Sequence, residues 1–553
     1  MSRENVEGVI RRFGSQQRVA ELLGIWQTAV SGWVRRGAIP ARRQQELLAA
    51  ARREGVELGP ADFFGIADEP ERAEPERADG TNGGAVPVPR HAGHARTNAS
   101  SHEGSYRAMS TAAATQQPQQ HAATTAEVIE LKAPAVSRAA PGKDLYEVGE
   151  IPPLGHVPRN MYAWAIRKDR HGEPATAMRQ EVVPTAQVGD DECLVMVMAG
   201  GVNYNGVWAA LGIPLSPLDV HKQPYHIAGS DAAGVVWAVG SKVKRWKVGD
   251  EVVIHCNQDD GDDEECNGGD PMNSSSQRIW GYETTDGSFA QFCRVQSRQL
   301  MPRPKHLTWE EAGCYTLVLA TAYRMLFGHA PHTLKPGDNV LVWGGAGGLG
   351  SMAIQLIAAS GGNAIAVISE EDKRDFVLSL GAKGAINRKD FDCWGEMPDP
   401  MDTEAYNKWL GSARKFGKAI WDITGKGNDP DIVFEHPGAA TFPVSSLVCR
   451  RGGMVVICAG TTGYKLTIDA RYMWMRQKRM QGSHFANLKQ ASAANKFVLN
   501  RQVDPCMSEV FAWDDIPRAH MKMWKNQHKP GNMAVLVQAK RPGMRTIEEA
   551  REG

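Results

Sequence analysis

The sequence predicts an α/β protein in which a β-rich domain is joined to a doubly wound parallel domain, with a small all-helical domain and a disordered linker in front. Three observations carry this. Residues 331–479 alternate short apolar strands with helical stretches, and residues 144–330 hold short apolar runs broken by Gly, Pro and Asp. Across residues 66–143, by contrast, large apolar side chains almost vanish. A last segment, 480–553, supplies another helix and a final strand, Met533 to Gln538, and is expected to return to the β-rich domain.

Residues 1–65 are helical in pattern, with ten Arg against seven acids. Ser15 to Gly24 reads as a helix closed by glycine, Gln27 to Arg36 as a second, and the run Ile39-Pro-Ala-Arg-Arg as the start of a third. Ala20, Gly24, Val30 and Trp33 occupy apolar and turn positions. The pattern resembles Cro/repressor-type helix-turn-helix domains. That resemblance implies a recognition helix presenting Gln27, Thr28, Ser31 and Arg35. Arginines neutralise phosphates, and Gln, Ser or Arg at a helix start can read base edges. DNA is therefore a candidate partner through residues 1–65, although a helical bundle for protein contact fits the same pattern. One such domain binds DNA weakly, so dimerisation through the rest of the chain is expected.

The linker, 66–143, is made of Ala, Pro, Gln, Glu, Ser, Thr and His. It cannot bury enough surface to offset its ordering entropy. Its histidines, His91, His94, His102 and His121, read as part of a solvated segment.

Within 144–330, Glu192 to Met198, Gly234 to Val239 and Asp250 to His255 read as strands of a barrel-like domain. In 331–479 the strands are Val340–Trp343, Ala364–Ile368, Ala385–Asn387, Ile432–Glu435 and Met454–Ala459, the doubly wound pattern of a Rossmann domain. Its most informative stretch is Asn339-Val-Leu-Val-Trp-Gly-Gly-Ala-Gly-Gly-Leu-Gly350. Gly344, Gly347 and Gly348 let the backbone turn tightly, and Leu349 opens a helix running to Ala359. A pyrophosphate can sit on the free N–H groups of that helix start. A second strand, Asn363 to Ser369, follows, which favours a dinucleotide site over an empty turn.

The 63 Lys+Arg balance the 63 Asp+Glu, so global charge favours neither nucleic acid nor membrane. No apolar run approaches the roughly 20 residues a bilayer span needs, and the N-terminal residues lack an apolar signal core. Nine cysteines are scattered without a Cys-x-x-Cys pair, so neither a zinc knuckle nor a dithiol motif is supported. A cytoplasmic protein with reduced thiols is expected.

Gly229-Ser-Asp-Ala-Ala-Gly-Val-Val236 and Val248-Gly-Asp-Glu-Val252 resemble signatures of the medium-chain dehydrogenase/reductase superfamily, whose β-rich domain is GroES-like. Its zinc-dependent members place Gly-His-Glu near the first motif. Here Gly229-Ser230-Asp231 stands there, so no metal is expected. Val202-Asn-Tyr-Asn-Gly-Val-Trp208, Gln277-Arg-Ile-Trp-Gly-Tyr-Glu-Thr284, Leu300-Met-Pro-Arg-Pro-Lys-His-Leu307, Phe434-Glu-His-Pro-Gly438 and Gly482-Ser-His-Phe-Ala-Asn487 resemble the crotonyl-CoA carboxylase/reductase family. The resemblance runs from about Leu145 to the C-terminus and leaves out the helix-turn-helix and linker.

The resemblance implies NADPH-dependent reductive carboxylation: hydride to C3 of crotonyl-CoA, then attack of the C2 enolate on CO2 to form ethylmalonyl-CoA. It also implies a homotetramer. Such a site must hold CO2 beside C2 and keep protons away. Asn205 would donate its amide N–H to a CO2 oxygen. Tyr282, where the family often has Phe, would donate its backbone N–H. Glu283 and His484 would hold a water on the other oxygen, so that both oxygens are polarised as the carboxylate forms. The extra hydroxyl of Tyr282 needs a partner if buried. His436 is read as shaping the cofactor cleft.

Ser369 and Lys373, after the second strand, and Arg388, after the third, form a candidate set for the extra phosphate of NADPH. Glu370 and Ala346 stand where the family often has serine. Arg476, Lys478 and Arg479 form a basic cluster compatible with CoA phosphates, a solvated face or a subunit contact. Two rival readings remain: a non-carboxylating NADPH-dependent enoyl-CoA or quinone reductase, and a DNA-binding regulator with a cofactor-sensing domain.

Overall fold

The computed structural model describes residues 3–25, 27–36, 39, 41–58 and 142–552. The expected linker therefore lies outside the described residues, apart from 142 and 143.

Among the described residues at the N-terminus four helices form, Arg3–Arg12, Gln16–Leu23, Gln27–Arg36 and Ala41–Glu54. They enclose a small core of Val6, Val9, Val19, Val30, Trp33 and Leu47. Ser15 caps the second helix, its hydroxyl accepting from the Arg18 N–H at 3.1 Å. Gly24 closes that helix in the left-handed conformation at φ 60°, which a Cβ would disfavour. Gln27 and Arg35 are exposed. Ser31 instead donates to Gln16 Oε1 at 2.7 Å. The Thr28 side chain lies outside the described residues.

In the main body, a seven-stranded sheet is built around the long strand Glu192–Val202. This strand pairs antiparallel with Ala232–Val239, Phe292–Gln296 and the C-terminal strand Asn532–Leu536. Every residue of Glu192–Val202 after the first is buried, so its apolar run packs on both faces. Asn532–Leu536 is a central strand that carries Met507–Phe511 on its far side. Strands from the chain's last segment thus join this sheet.

A six-stranded parallel sheet follows the order Gly384–Asn387, Asn363–Ile368, Asn339–Val342, Ile432–Glu435, Met454–Ile457, Arg479–Gly482. The order reverses direction at Asn339–Val342, which opens a crevice at the carboxyl ends of that strand and Ile432–Glu435. The sixth strand, Arg479–Gly482, pairs parallel with Met454–Ile457. The boundary expected at 479/480 therefore cuts through a strand. Its residues, Arg-Met-Gln-Gly, lack the β-branched pattern that marks the inner strands. The return to the other sheet starts only at Met507. Helix Thr316–Phe327, expected within the β-rich domain, packs on Gly348–Ala359 of the parallel domain.

Candidate active site

The crevice is a cleft of about 430 Å³, within the range of cofactor sites. Gly344 turns at φ 58°, and a Cβ there would stand 2.6 Å from His436 Nε2. Glycine therefore lets the two strand ends approach. His436 Nε2 donates to the Trp343 carbonyl at 3.0 Å, and burial lowers its pKa, so the ring is neutral. This matches a shaping role and not acid–base work.

Beneath it lies Glu435, wholly buried. Its carboxyl accepts from the Gly438 N–H at 3.1 Å and the hydroxyls of Thr441 at 2.7 Å and Ser445 at 2.5 Å. Burial raises its pKa to about 7 in spite of these donors. Trp343 Nε1 also donates to Ser445 Oγ at 2.8 Å, so this network ties both walls of the crevice together.

Gly344, Gly347, Ser369, Lys373 and Arg388 all line the cleft. Lys373 Nζ donates to Ser369 Oγ at 3.2 Å, which gathers a hydroxyl and a cation at the end of the second strand. Glu370 is turned to the surface, where its carboxylate meets Lys389 Nζ at 2.5 Å. That pairing, with smaller contributions from Lys373 and Arg388, lowers its pKa. Gly348 and Leu349 do not line the cleft. A Cβ at Gly348 would lie 2.1 Å from Asn532 Oδ1, so glycine here admits the returning strand. Leu349 packs against the core.

The roof of the cleft comes from residues that sequence reasoning missed. Asn526, His528, Lys529 and Pro530 line it from the returning segment. The Gly531 N–H donates to the Ala346 carbonyl at 2.9 Å, seating this loop on the glycine turn. Tyr204 lines the same cleft. It is the first residue of helix Tyr204–Leu211, whose second residue is Asn205.

Asn205 is buried, and its Nδ2 donates to Ser230 Oγ at 2.7 Å. The neighbouring Asn203 donates to Asp231 Oδ2 at 2.7 Å. Asp231 is fully buried, which raises its pKa, and also accepts from the Leu317 N–H at 2.6 Å and from the Thr316 hydroxyl. Ser230 and Asp231 are therefore occupied by asparagines and a helix start. Among the described residues no group of three or more His, Cys, Asp or Glu is arranged to hold a metal ion.

Tyr282 and Glu283 sit in a turn after Ile279. A Cβ on Gly281 would be 2.0 Å from the Gly229 carbonyl, so this turn lies directly on the segment that holds Asn205. The Tyr282 hydroxyl has the partner it needs, the Leu215 carbonyl at 2.9 Å. Its backbone N–H was expected to face CO2; here it donates to the Ile279 carbonyl at 3.1 Å. Glu283 likewise serves the turn, Oε2 accepting from the Ile279 N–H at 2.9 Å. The tight turn uses both groups locally.

His484 is exposed and shares no hydrogen bond with Glu283 or Asn205. Its ring packs 4.3 Å from that of Phe485. Its loop is anchored by His255 Nε2 on the Ala486 carbonyl at 2.7 Å and by Asn487 on Asp270 at 3.0 Å. The basic cluster divides. Lys478 is buried on the Ser446 and Leu447 carbonyls at 2.7 and 2.9 Å, and Arg479 donates to the His329 and Ala330 carbonyls. Both are structural donors.

The model of the alcohol dehydrogenase GroES-like domain matches residues 189–305, and that of the zinc-binding dehydrogenase matches 348–500. A crotonyl-CoA carboxylase/reductase of Cereibacter sphaeroides is 73% identical over 424 residues, covering 77% of this chain and 98% of that protein. The chain belongs to the crotonyl-CoA carboxylase/reductase family. A crotonyl-CoA reductase of Streptomyces avermitilis is 41% identical, covering 70% of this chain and 88% of that one. Among solved structures, a crotonyl-CoA carboxylase/reductase at 76% identity superposes with a TM-score of 0.73 over 74% of this chain and 96% of that one. Another member of the family, solved in complex with NADP, is 50% identical with a TM-score of 0.70 and covers 72% of this chain and 100% of that one.

Proposed function

We propose that the chain catalyses NADPH-dependent reductive carboxylation of crotonyl-CoA to ethylmalonyl-CoA. The observation that carries this is adjacency. Tyr204 lines the dinucleotide cleft, and the next residue, Asn205, is held buried on Ser230. NADPH, when bound, supplies hydride to C3 of the enoyl thioester, leaving an enolate whose C2 attacks CO2. Ser369, Lys373 and Arg388 would hold the extra phosphate, and the loop 526–530 would cover the cofactor. Asn205 donates to the CO2 oxygen that gains charge. Tyr282 and Glu283 would bound the pocket from the turn packed on Gly229, and His484 would help to order a water there. Burial around Asn205 excludes the protons that would otherwise quench the enolate.

The test is mass analysis of products from crotonyl-CoA, NADPH and isotopically labelled bicarbonate. Label in ethylmalonyl-CoA, one per NADPH oxidised, is expected. Unlabelled butyryl-CoA alone would favour a plain enoyl-CoA reductase.

The homotetramer is supported by one surface. Exposed Met473, Trp474 and Met475 lie just before the outer edge strand Arg479–Gly482, and Trp474 keeps 65% of its surface. An unpaired edge beside apolar side chains suits a second copy of this chain. Light scattering of Trp474→Glu should show smaller assemblies.

DNA binding through residues 1–65 is supported by the third helix. It buries Val30, Trp33 and Val34 and leaves Gln27 and Arg35 in solvent. The association constant for duplex DNA, measured by fluorescence anisotropy, should fall linearly with salt on a log–log plot if phosphates are contacted. A cytoplasmic setting is supported by nine cysteines, all free. No helix of the described residues is long and apolar enough to cross a membrane.

A further inference from the structure

Asn205 is 7% exposed, and only one end of its amide has a protein partner. Nδ2 lies 2.7 Å from Ser230 Oγ, while Oδ1 is buried with none. A buried acceptor without a donor is costly. A half-turn of the planar amide exchanges the two atoms within the same envelope. Ser230, a hydroxyl that can donate as well as accept, then gives its proton to Oδ1. Both amide N–H groups swing to the side that had no partner.

We propose that Ser230 is a positioning residue that donates to Asn205 Oδ1 and thereby presents the Asn205 nitrogen to CO2. This rests on Asn205 as the CO2 donor. The orientation decides the product. Aimed at CO2, the nitrogen stabilises the oxygen that becomes carboxylate. Aimed the other way, the amide oxygen repels it, and the enolate takes a proton from water to give butyryl-CoA.

The surroundings make Ser230 a rigid reference point. It is fully buried, and the next residue, Asp231, is held by Asn203, the Leu317 N–H and the Thr316 hydroxyl. Segments 203–205 and 229–231 are thus latched twice, on either side of Tyr204. The helix also sits tightly on the returning segment, because a Cβ on Gly206 would stand 2.5 Å from His520 Nε2. With backbone and helix fixed, the remaining freedom is the amide itself, and Ser230 is the group that selects its orientation.

The test compares full-length Ser230→Ala, Ser230→Thr and Asn205→Ala with the unmodified chain, using crotonyl-CoA, NADPH and varied bicarbonate. The readouts are the butyryl-CoA to ethylmalonyl-CoA ratio and the separate KM values for CO2 and crotonyl-CoA. Ser230→Ala is expected to raise the ratio and the KM for CO2 by about 3- to 10-fold, the scale of one hydrogen bond, and to move the KM for crotonyl-CoA by less than about 2-fold. Ser230→Thr, which keeps the hydroxyl, should restore the ratio. If Ser230→Ala does not fold, Ser230→Cys, a weaker donor of similar size, should shift the ratio in the same direction. An unchanged ratio in the folded Ala or Cys variant, or a Thr variant that fails to restore it, overturns the role of Ser230. If Asn205→Ala still shifts the product in that case, the CO2 reading of Asn205 stands. If Asn205→Ala does not shift it, that reading fails as well.

Discussion

The Tyr282 hydroxyl donates to the Leu215 carbonyl at 2.9 Å, joining positions 67 residues apart. The bond ties the turn that carries Glu283 to the loop after the Asn205 helix. Tyr282→Phe removes it without emptying the ring's pocket. A loss of about 0.5–1.5 kcal/mol of stability is expected, and differential scanning calorimetry would read it. The product ratio should stay within about twofold, because the hydroxyl faces Leu215. A large change in ratio would place the phenol in the chemistry.

Asn205→Ala should shift product from ethylmalonyl-CoA towards butyryl-CoA by about 10-fold or more, the loss of a donor to developing charge. Chromatography of the CoA esters checks it. An unchanged ratio would remove Asn205 from the CO2 site.

Lys373 and Arg388 both line the cleft, and on the proposed reading they hold the extra phosphate of NADPH. Replacing either with Ala should raise the KM for NADPH by about 10- to 100-fold, the range of a charged hydrogen bond, and change that for NADH little. Equal effects on both dinucleotides would mean that these cations do not read the phosphate.

Glu435 links pH to stability. Its folded pKa, about 7, lies above the ordinary 4.5. The fold thus favours the neutral carboxyl. That contribution is complete below about pH 4.5 and is lost as pH rises through 7. The displacement corresponds to about 3 kcal/mol. Glu435→Gln, uncharged throughout, should gain in melting temperature relative to the parent between pH 4.5 and 7, and hold that gain above 7. A difference independent of pH would show that the carboxyl ionises normally.

Removal of residues 1–140 should leave turnover nearly intact, because the whole cleft and the Asn205 pocket come from residues after 200. Steady-state kinetics of the truncated chain decides this. Collapse of activity would give the N-terminal part a role in folding or assembly.

How much was legible in the sequence depends on range. The glycine turn, the inner strands and Ser369, Lys373 and Arg388 were readable because each follows a local pattern: a buried β-branched run, then its carboxyl end. Asn526, His528, Lys529 and Pro530 were not, because a roofing loop has no periodicity and meets the glycine turn only through the fold. The edge strand Arg479–Gly482 was hidden for a related reason, since a strand with one free edge needs little apolar patterning. Local hydrogen bonding also outranked motif inference at Tyr282. Its N–H belongs to the Ile279 turn, and no motif announces which backbone donors a turn consumes.

The Gly531–Ala346 bond has a corollary for engineering. Just past that rivet, Asn532 enters an inner strand of the other sheet, so a C-terminal cut ahead of the loop would strip the cleft's roof and that strand together. Redesign of coenzyme preference on this side is thereby confined to the five residues 526–530, a short replaceable cassette that ends at a fixed point.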